Sequence, residues 1–230
     1  GFMEGAKTIE LKGKCSTGKS IPGSAKAIIY KLIADNSTIV LTFLKPDENL
    51  LHLLDEDKQL VIGGAGWSYT LNRRNAVTSS QEKFIPVTVA SQIINASSDT
   101  VGIFQGRTPC NAALRAIHDI SPNGCQVVKC QLILLQDIKT HTPSTFILKT
   151  IYVGNSDVNI YSVTGKWKLL QGTPRDPAAT IYHLEPGSGK SNGSLSLLKG
   201  DDNILFFLDK DMHYLVGNEY CSYTLNRKSK

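Results

Sequence analysis

The side chains with chemical potential in this chain are five cysteines, five histidines, two Asp-x-Asp pairs and one glycine-rich lysine loop. His52, His118, His141, His183 and His213 form no H-x-x-x-H, no H-x-H and no Cys/His cluster at zinc spacing. They read as surface or strand histidines, and no metal centre is expected. Asp55-Glu56-Asp57-Lys58 and Asp209-Lys210-Asp211-Met212 could begin a calcium loop, but no further acidic ligands follow at the required spacing. Aspartate at such a point caps its own backbone, which predicts two hairpin turns. Gly187-Ser188-Gly189-Lys190-Ser191 ends like a phosphate-binding loop, yet Leu184 stands where the first glycine belongs. The segment also falls between two short strands rather than before a helix. No G-x-S-x-G is present. No catalytic residue and no cofactor is therefore expected, and the chain does not read as an enzyme.

The elements that carry these residues are organised by a repeat. Trp67-Ser68-Tyr69-Thr70-Leu71-Asn72-Arg73 recurs 154 positions later as Cys221-Ser222-Tyr223-Thr224-Leu225-Asn226-Arg227. The same spacing pairs Asn49 with Asn203, Asp55 with Asp209, Asp57 with Asp211 and Gly63 with Gly217. Upstream, Ala27-Ile28-Ile29-Tyr30-Lys31-Leu32 matches Ala179-Thr180-Ile181-Tyr182-His183-Leu184, and Gly13-Lys14-Cys15 matches Gly165-Lys166-Trp167, with the offset shorter by about two residues. The match stops near Lys7, and residues 101 to about 158 have no counterpart. Residues 1–74 thus read as a partial copy, 75–100 as a polar linker and 101–230 as a complete copy. Lys83–Ile94, interrupted by Pro86, offers the linker one extra strand.

Short apolar runs between Gly, Pro, Asn and Asp turns predict strands. In the complete copy they are Val101–Arg107, Gln126–Gln136, Thr145–Val153, Asn159–Leu170, Thr180–Leu184, Ser194–Leu198, Ile204–Leu208 and Ser222–Asn226. Alternation points Val128, Cys130, Leu132, Leu134, Phe146, Leu148, Tyr152, Trp167 and Leu169 inward, with Lys129, Gln131, Lys149, Lys166 and Lys168 outward. Eight antiparallel strands enclose only side chains or one small ligand, and the bulky inward set, which includes Tyr223 and either Phe206 or Phe207, predicts a filled barrel. One helix is expected over Pro109–Asp119, capped by Thr108 and stopped by Ser121-Pro122-Asn123-Gly124. The fold expected is all-β: a lipocalin-like eight-stranded barrel with one short helix, preceded by a partial barrel copy.

Cys110 and Cys125 bracket this helix. A bond between them would staple it to the barrel for about 3 kcal/mol. Cys130, pointing into the barrel, is the alternative partner. Cys15 and Cys221 each stand opposite a tryptophan of the other copy and read as buried positions. The odd cysteine count leaves at least one thiol unpaired.

The hydrophobic content is 41% and the charged content 20%, ordinary for a globular protein. The net charge is +5, but the basic residues cluster only at Arg227-Lys228-Ser229-Lys230, without interleaved aromatics. No nucleic-acid partner is expected. No apolar run is long enough for a membrane helix. The first residues carry no leader, as expected of a mature chain.

Gly106-Arg107-Thr108-Pro109-Cys110, Thr164-Gly165-Lys166-Trp167, Ile181-Tyr182-His183-Leu184 and Leu198-Lys199-Gly200-Asp201-Asp202-Asn203-Ile204-Leu205-Phe206-Phe207-Leu208-Asp209 resemble the amino-terminal domain of NlpE-type copper-resistance lipoproteins, in their Bacteroidetes-like version. The resemblance covers about 101–227 and, in part, 7–73. It implies a lipocalin-like barrel held by a lipid anchor in the bacterial outer membrane, facing the periplasm. It also implies roles in envelope-stress signalling, surface sensing or copper tolerance through an envelope protein partner. The family carries C-x-x-C at Cys110, whereas this chain reads Cys110-Asn111-Ala112-Ala113. A carrier of a small hydrophobic molecule is the alternative.

The partial copy supplies Lys7–Lys14, Ala25–Ile33, Thr38–Leu44, Leu50–Leu54 and Trp67–Asn72, too few strands to close. Its edges and apolar face need cover. The linker strand, packing on the complete barrel, and a homodimer built from two half-barrels are the three remedies, and the homodimer is the one favoured here.

Overall fold

The computed structural model describes residues 10–19, 28–35, 37–73, 98–110, 114, 117, 124–154, 158–187 and 193–228. Five strands form an antiparallel sheet in chain order: β1 (Gly13–Lys19), β2 (Ile28–Ala34), β3 (Val40–Asp47), β4 (Leu50–Leu54) and β5 (Thr70–Asn72). Eight more close into a barrel: β6 (Ser98–Pro109), β7 (Cys125–Asp137), β8 (Pro143–Gly154), β9 (Val158–Gln171), β10 (Thr180–Pro186), β11 (Leu195–Lys199), β12 (Ile204–Leu208) and β13 (Thr224–Arg227). Each strand pairs with the next, and β13 closes on β6 through Asn226↔Gln105 and Arg227↔Phe104. Closure removes the free edges that an open sheet of this size would leave.

Alternation builds the barrel wall. Along β8, Phe146, Leu148, Thr150 and Tyr152 are buried while Lys149 is exposed. Along β7, Val128, Cys130, Leu132 and Leu134 are buried. The interior is filled by side chains from all eight strands together with Leu114 and Ile117. Both of these are fully buried and helical, and the Leu114 carbonyl accepts a hydrogen bond from the Tyr152 hydroxyl. The rest of the expected helix lies outside the described residues, except its start, which differs. Pro109 ends strand β6 opposite Val127, and Thr108 is buried in that strand rather than capping a helix. A proline's fixed φ suits a strand end as well as a first helical turn, so the residue alone does not choose between them.

Trp167 is buried and donates its indole N–H to the Leu135 carbonyl, but Leu169, expected inward, is 52% exposed. It sits near the end of β9 opposite Tyr182, close to where β10 begins, at the rim of the barrel. Of the two phenylalanines, Phe207 is the one in the barrel core; Phe206 points out.

The sheet repeats the second half of the barrel strand for strand. Cys15 pairs with Leu32 in β1–β2 as Trp167 pairs with Leu184 in β9–β10, and Leu50–His52 pairs with β5 in the same register as Ile204–Phe206 with β13. The first strand runs over Gly13–Lys19 rather than Lys7–Lys14, because its match is to the later half of β9. Equivalents of β6, β7 and β8 are absent from this sheet, so among the described residues no strand lies opposite the side that corresponds to the barrel interior, although Phe43 on that side is buried. Leu32, Tyr69 and Leu71 on that side are 38%, 37% and 52% exposed, whereas Leu184 and Leu225 are fully buried. Cys15, expected to be buried, is exposed on the same wall for this reason, and Cys221 is half-buried. The convex side packs against the outside of the barrel. This is the second of the three remedies, and it leaves the β1 and β5 edges without a strand partner among the described residues. Lys83–Ile94 lies outside those residues.

Equivalent positions should therefore differ in what they contribute. Leu225→Ala empties space in a closed core and is expected to cost about 3 kcal/mol. Leu71→Ala, at the same repeat position, should cost under about 1 kcal/mol. Urea unfolding of both variants measures this, and equal losses would mean that the two walls are equally covered.

Candidate functional site: the seam between the two copies

Strand β12 reads Ile204-Leu205-Phe206-Phe207-Leu208 and is buried at every position. Leu205 and Phe207 face the barrel core; Ile204, Phe206 and Leu208 face Leu54 and Leu60 of the sheet. Ile181 and Leu198 join this second cluster from the barrel, and Ile29 and Leu44 from the sheet.

Polar contacts across the seam are reciprocal. The Asn226 side-chain oxygen accepts from the Gly63 N–H at 2.8 Å, and the Asn72 oxygen accepts from the Gly217 N–H at 2.9 Å. The Asn226 amide nitrogen points to the Gly64 and Trp67 carbonyls, and the Asn72 nitrogen to the Asn218 and Cys221 carbonyls. Each of these asparagine contacts has its repeat partner on the other side, so a pseudo-two-fold axis relates the sheet to the second half of the barrel. The Thr70 and Thr224 hydroxyls meet at 3.0 Å near that axis. Glycine is required at both loop positions: a Cβ on Gly217 would come within 2.0 Å of the Cys221 carbonyl oxygen, and one on Gly63 within 2.4 Å of that of Trp67. The identical run Ser-Tyr-Thr-Leu-Asn-Arg is thus the sequence of a self-complementary surface.

His52 lies at the centre, fully buried, with its ring edge-on to Phe206 at 5.7 Å. Its Nε2 faces the Val61 carbonyl at 3.0 Å, so Nε2 carries the proton. Nδ1 then accepts from the Thr70 hydroxyl at 2.8 Å. Thr70 in turn accepts from Ser68 and from Thr224. Burial pulls the His52 pKa down to about 4, and the bond to the Val61 carbonyl opposes this only in part. His52 is therefore a neutral structural group. Its strand position was legible in the sequence; its burial was not, because it comes from the packing of the sheet on the outside of the barrel.

Beside the apolar cluster the seam opens into a cleft of about 670 Å³, floored by Leu44, Leu60, Leu198 and Phe206. The Arg175 guanidinium bridges to Asp47 at 2.8 Å across it. Tyr214 also lines it; burial, then the Asp47 and Asp176 carboxylates, raises the Tyr214 pKa. Lys45 pairs with Glu48 and Lys199 with Asp202 at equivalent hairpins on its rim.

The other residues singled out in the sequence are dispersed. Cys110 is bonded to Cys125, with Cα atoms 6.1 Å apart. Cys130 is buried in the barrel, and its burial pushes the thiol pKa up to about 12, which leaves it inert. Asp55 and Asp209 close their own turns: each accepts a backbone N–H four residues on, from Gln59 and His213. Lys58 and Met212 take the left-handed conformation at the same point in both turns, each with φ 61°. His183 meets Ser196, whereas His141 and His213 sit in exposed turns. His118 and 188–192 lie outside the described residues. Among the described residues no group of three or more His, Cys, Asp or Glu is placed to hold a metal ion. Comparison of the chain with models of protein families, with curated proteins and with solved structures finds no match.

Two outcomes follow from this geometry. A non-reduced digest should yield the Cys110–Cys125 cross-linked peptide with Cys15, Cys130 and Cys221 as free thiols; finding Cys110 as a free thiol would contradict the structure. The second concerns acid. The folded state holds His52 neutral to about pH 4, while the unfolded chain protonates it near 6.5. Stability from this group is complete above 6.5 and is lost as pH falls through the window to 4, by at most about 3 kcal/mol. Urea unfolding between pH 7 and 4 should show this loss in the wild type and a flatter profile in His52→Phe.

Proposed function

We propose that the chain is a non-enzymatic protein-contact module of the cell envelope, of NlpE-like type, acting in envelope-stress or surface sensing or in copper tolerance. The observation that carries this reading is the concave wall of the sheet, which no strand covers among the described residues and which is exposed at its β1 and β5 ends. Tyr69 and Leu71 are exposed where Tyr223 and Leu225 are buried, and Trp67 beside them is 61% exposed. A contiguous apolar wall of this kind marks a surface that meets another protein. The Cys110–Cys125 bond supports an oxidising compartment. It also engages the sulfur at the family's motif position, so copper tolerance would not run through a Cys110 thiolate. A lipid anchor and a periplasm-facing location come from the resemblance alone. The carrier reading has less support, because side chains fill the barrel interior.

The partner at the wall is an envelope protein or the half-barrel of a second copy, and the β1 and β5 edges, which have no strand partner among the described residues, suit either. Knockout of the gene, complemented with wild type or with Tyr69→Ser/Leu71→Glu, tests the reading under copper and envelope stress. Wild type should restore tolerance and the double variant should not. Equal restoration by both would remove the wall from the function. Sedimentation separates the partners: a wild-type dimer dissociated by Leu71→Glu assigns the wall to a second copy, and a monomer near 25.1 kDa assigns it to another protein.

A further inference from the structure

The seam has the symmetry of a homodimer interface, although one chain forms both sides of it. We propose that the five-stranded sheet is a built-in cap on a self-association face of the barrel, and that the uncapped face fits the same face of a second copy of this chain. The face comprises β12, β13 and the segment 212–221. What covers it now is its own repeat. Asn72 receives the Gly217 N–H as Asn226 receives the Gly63 N–H. Thr70 touches Thr224, and His52 touches Phe206, its own repeat equivalent. A surface that binds its own copy about a two-fold axis is complementary to itself. Two barrels brought together by the same rotation would make the Asn226–Gly217 bonds twice and set Thr224 against Thr224.

The face differs chemically from the cap at two points of the apolar cluster, Phe206 for His52 and Tyr214 for Leu60, and the first of these favours the pairing. His52 of the cap is replaced in the barrel by Phe206, so two barrels would bring phenylalanine to phenylalanine with no imidazole at that central position. The cap prevails in the intact chain because it is tethered. A linked partner acts at an effective concentration of about millimolar, far above that of a second chain at micromolar levels. This inference concerns the convex seam; the reading in the preceding subsection concerns the concave wall, and the two fail separately.

The experiment is performed on the full chain. Thr70→Arg places a long cation against Thr224 and His52, at a position 6% exposed, and should force the sheet off the barrel. Sedimentation at tens of micromolar gives the mass relative to the wild type, and hydrogen exchange follows two amides. The expected result is a doubled mass, with the Gly63 N–H exchanging fast because Asn226 has left it. The Gly217 N–H should stay slow, because the Asn226 of the second copy replaces Asn72. Adding Thr224→Arg should return the wild-type mass and make both amides fast. A Thr70→Arg chain of wild-type mass with both amides fast would overturn the proposal, since the bared face would then not pair. Wild-type mass with both amides slow would overturn it too, since the sheet would not be a removable cap. A doubled mass that survives Thr224→Arg would place the contact elsewhere and overturn it, as would a barrel that unfolds once the sheet is lost.

Discussion

Two asparagine side chains, Asn72 and Asn226, hold this molecule in its arrangement. A five-stranded piece of barrel has an apolar side facing each way and two free edges, and by itself it is marginal. Something must desolvate at least one side. Ile29, Leu44, Leu54 and Leu60 do this against Ile181, Leu198, Phe206 and Leu208. Apolar contact is not directional, however, and would tolerate a sliding sheet. The asparagines fix the register, because each accepts from one loop N–H and donates toward two loop carbonyls of the other copy, bonds that are directional and part-buried. Orientation follows from the same bonds: only a two-fold relation satisfies both asparagines at once.

The barrel was legible in the sequence because its signal is local. All eight strands of the complete copy lie where alternation and turn residues put them, and Lys149 among Phe146, Leu148 and Tyr152 is enough to orient β8. Errors fall where a local pattern has two outcomes. Pro109 fits a strand end and a helix start equally, and Leu169 has the right parity but lies at the rim, where parity no longer implies burial.

The seam was harder to see, and the reason is instructive. Its strongest trace is the lack of alternation in Leu50-Leu51-His52-Leu53-Leu54 and Ile204-Leu205-Phe206-Phe207-Leu208. A barrel strand exposed on its outer side should alternate; a continuous apolar run means cover on both sides. The second trace is the identity of Thr70 with Thr224 and of Asn72 with Asn226. Two copies that only share a fold need to keep apolar character, not a threonine and an asparagine on the outer face. Identity of polar residues there marks positions that face each other. The exposure of Cys15, by contrast, depends on strands that the first copy lacks, and no residue near it carries that information.

The cap and the barrel differ most at the centre of their contact. A phenylalanine at position 52 would match Phe206, whereas His52 needs the Val61 carbonyl and the Thr70 hydroxyl to be tolerated without water. That requirement ties the imidazole to β5 and to the loop that carries Gly63, the two parts of the sheet that meet the barrel. A proton added at Nδ1 would take away the acceptor that Thr70 uses, leave Thr70 competing with Thr224 as donor, and place a charge in a fully buried apolar cluster. The disturbance would begin in the sheet, since at this point the barrel's side of the seam holds Phe206 and Thr224. Its cost therefore falls on the association of the two copies more than on the closed barrel, whose core of Phe146, Leu148, Phe207 and Leu225 makes no use of His52. The seam is accordingly the weaker of the two joints in acid, with the barrel as the part that persists.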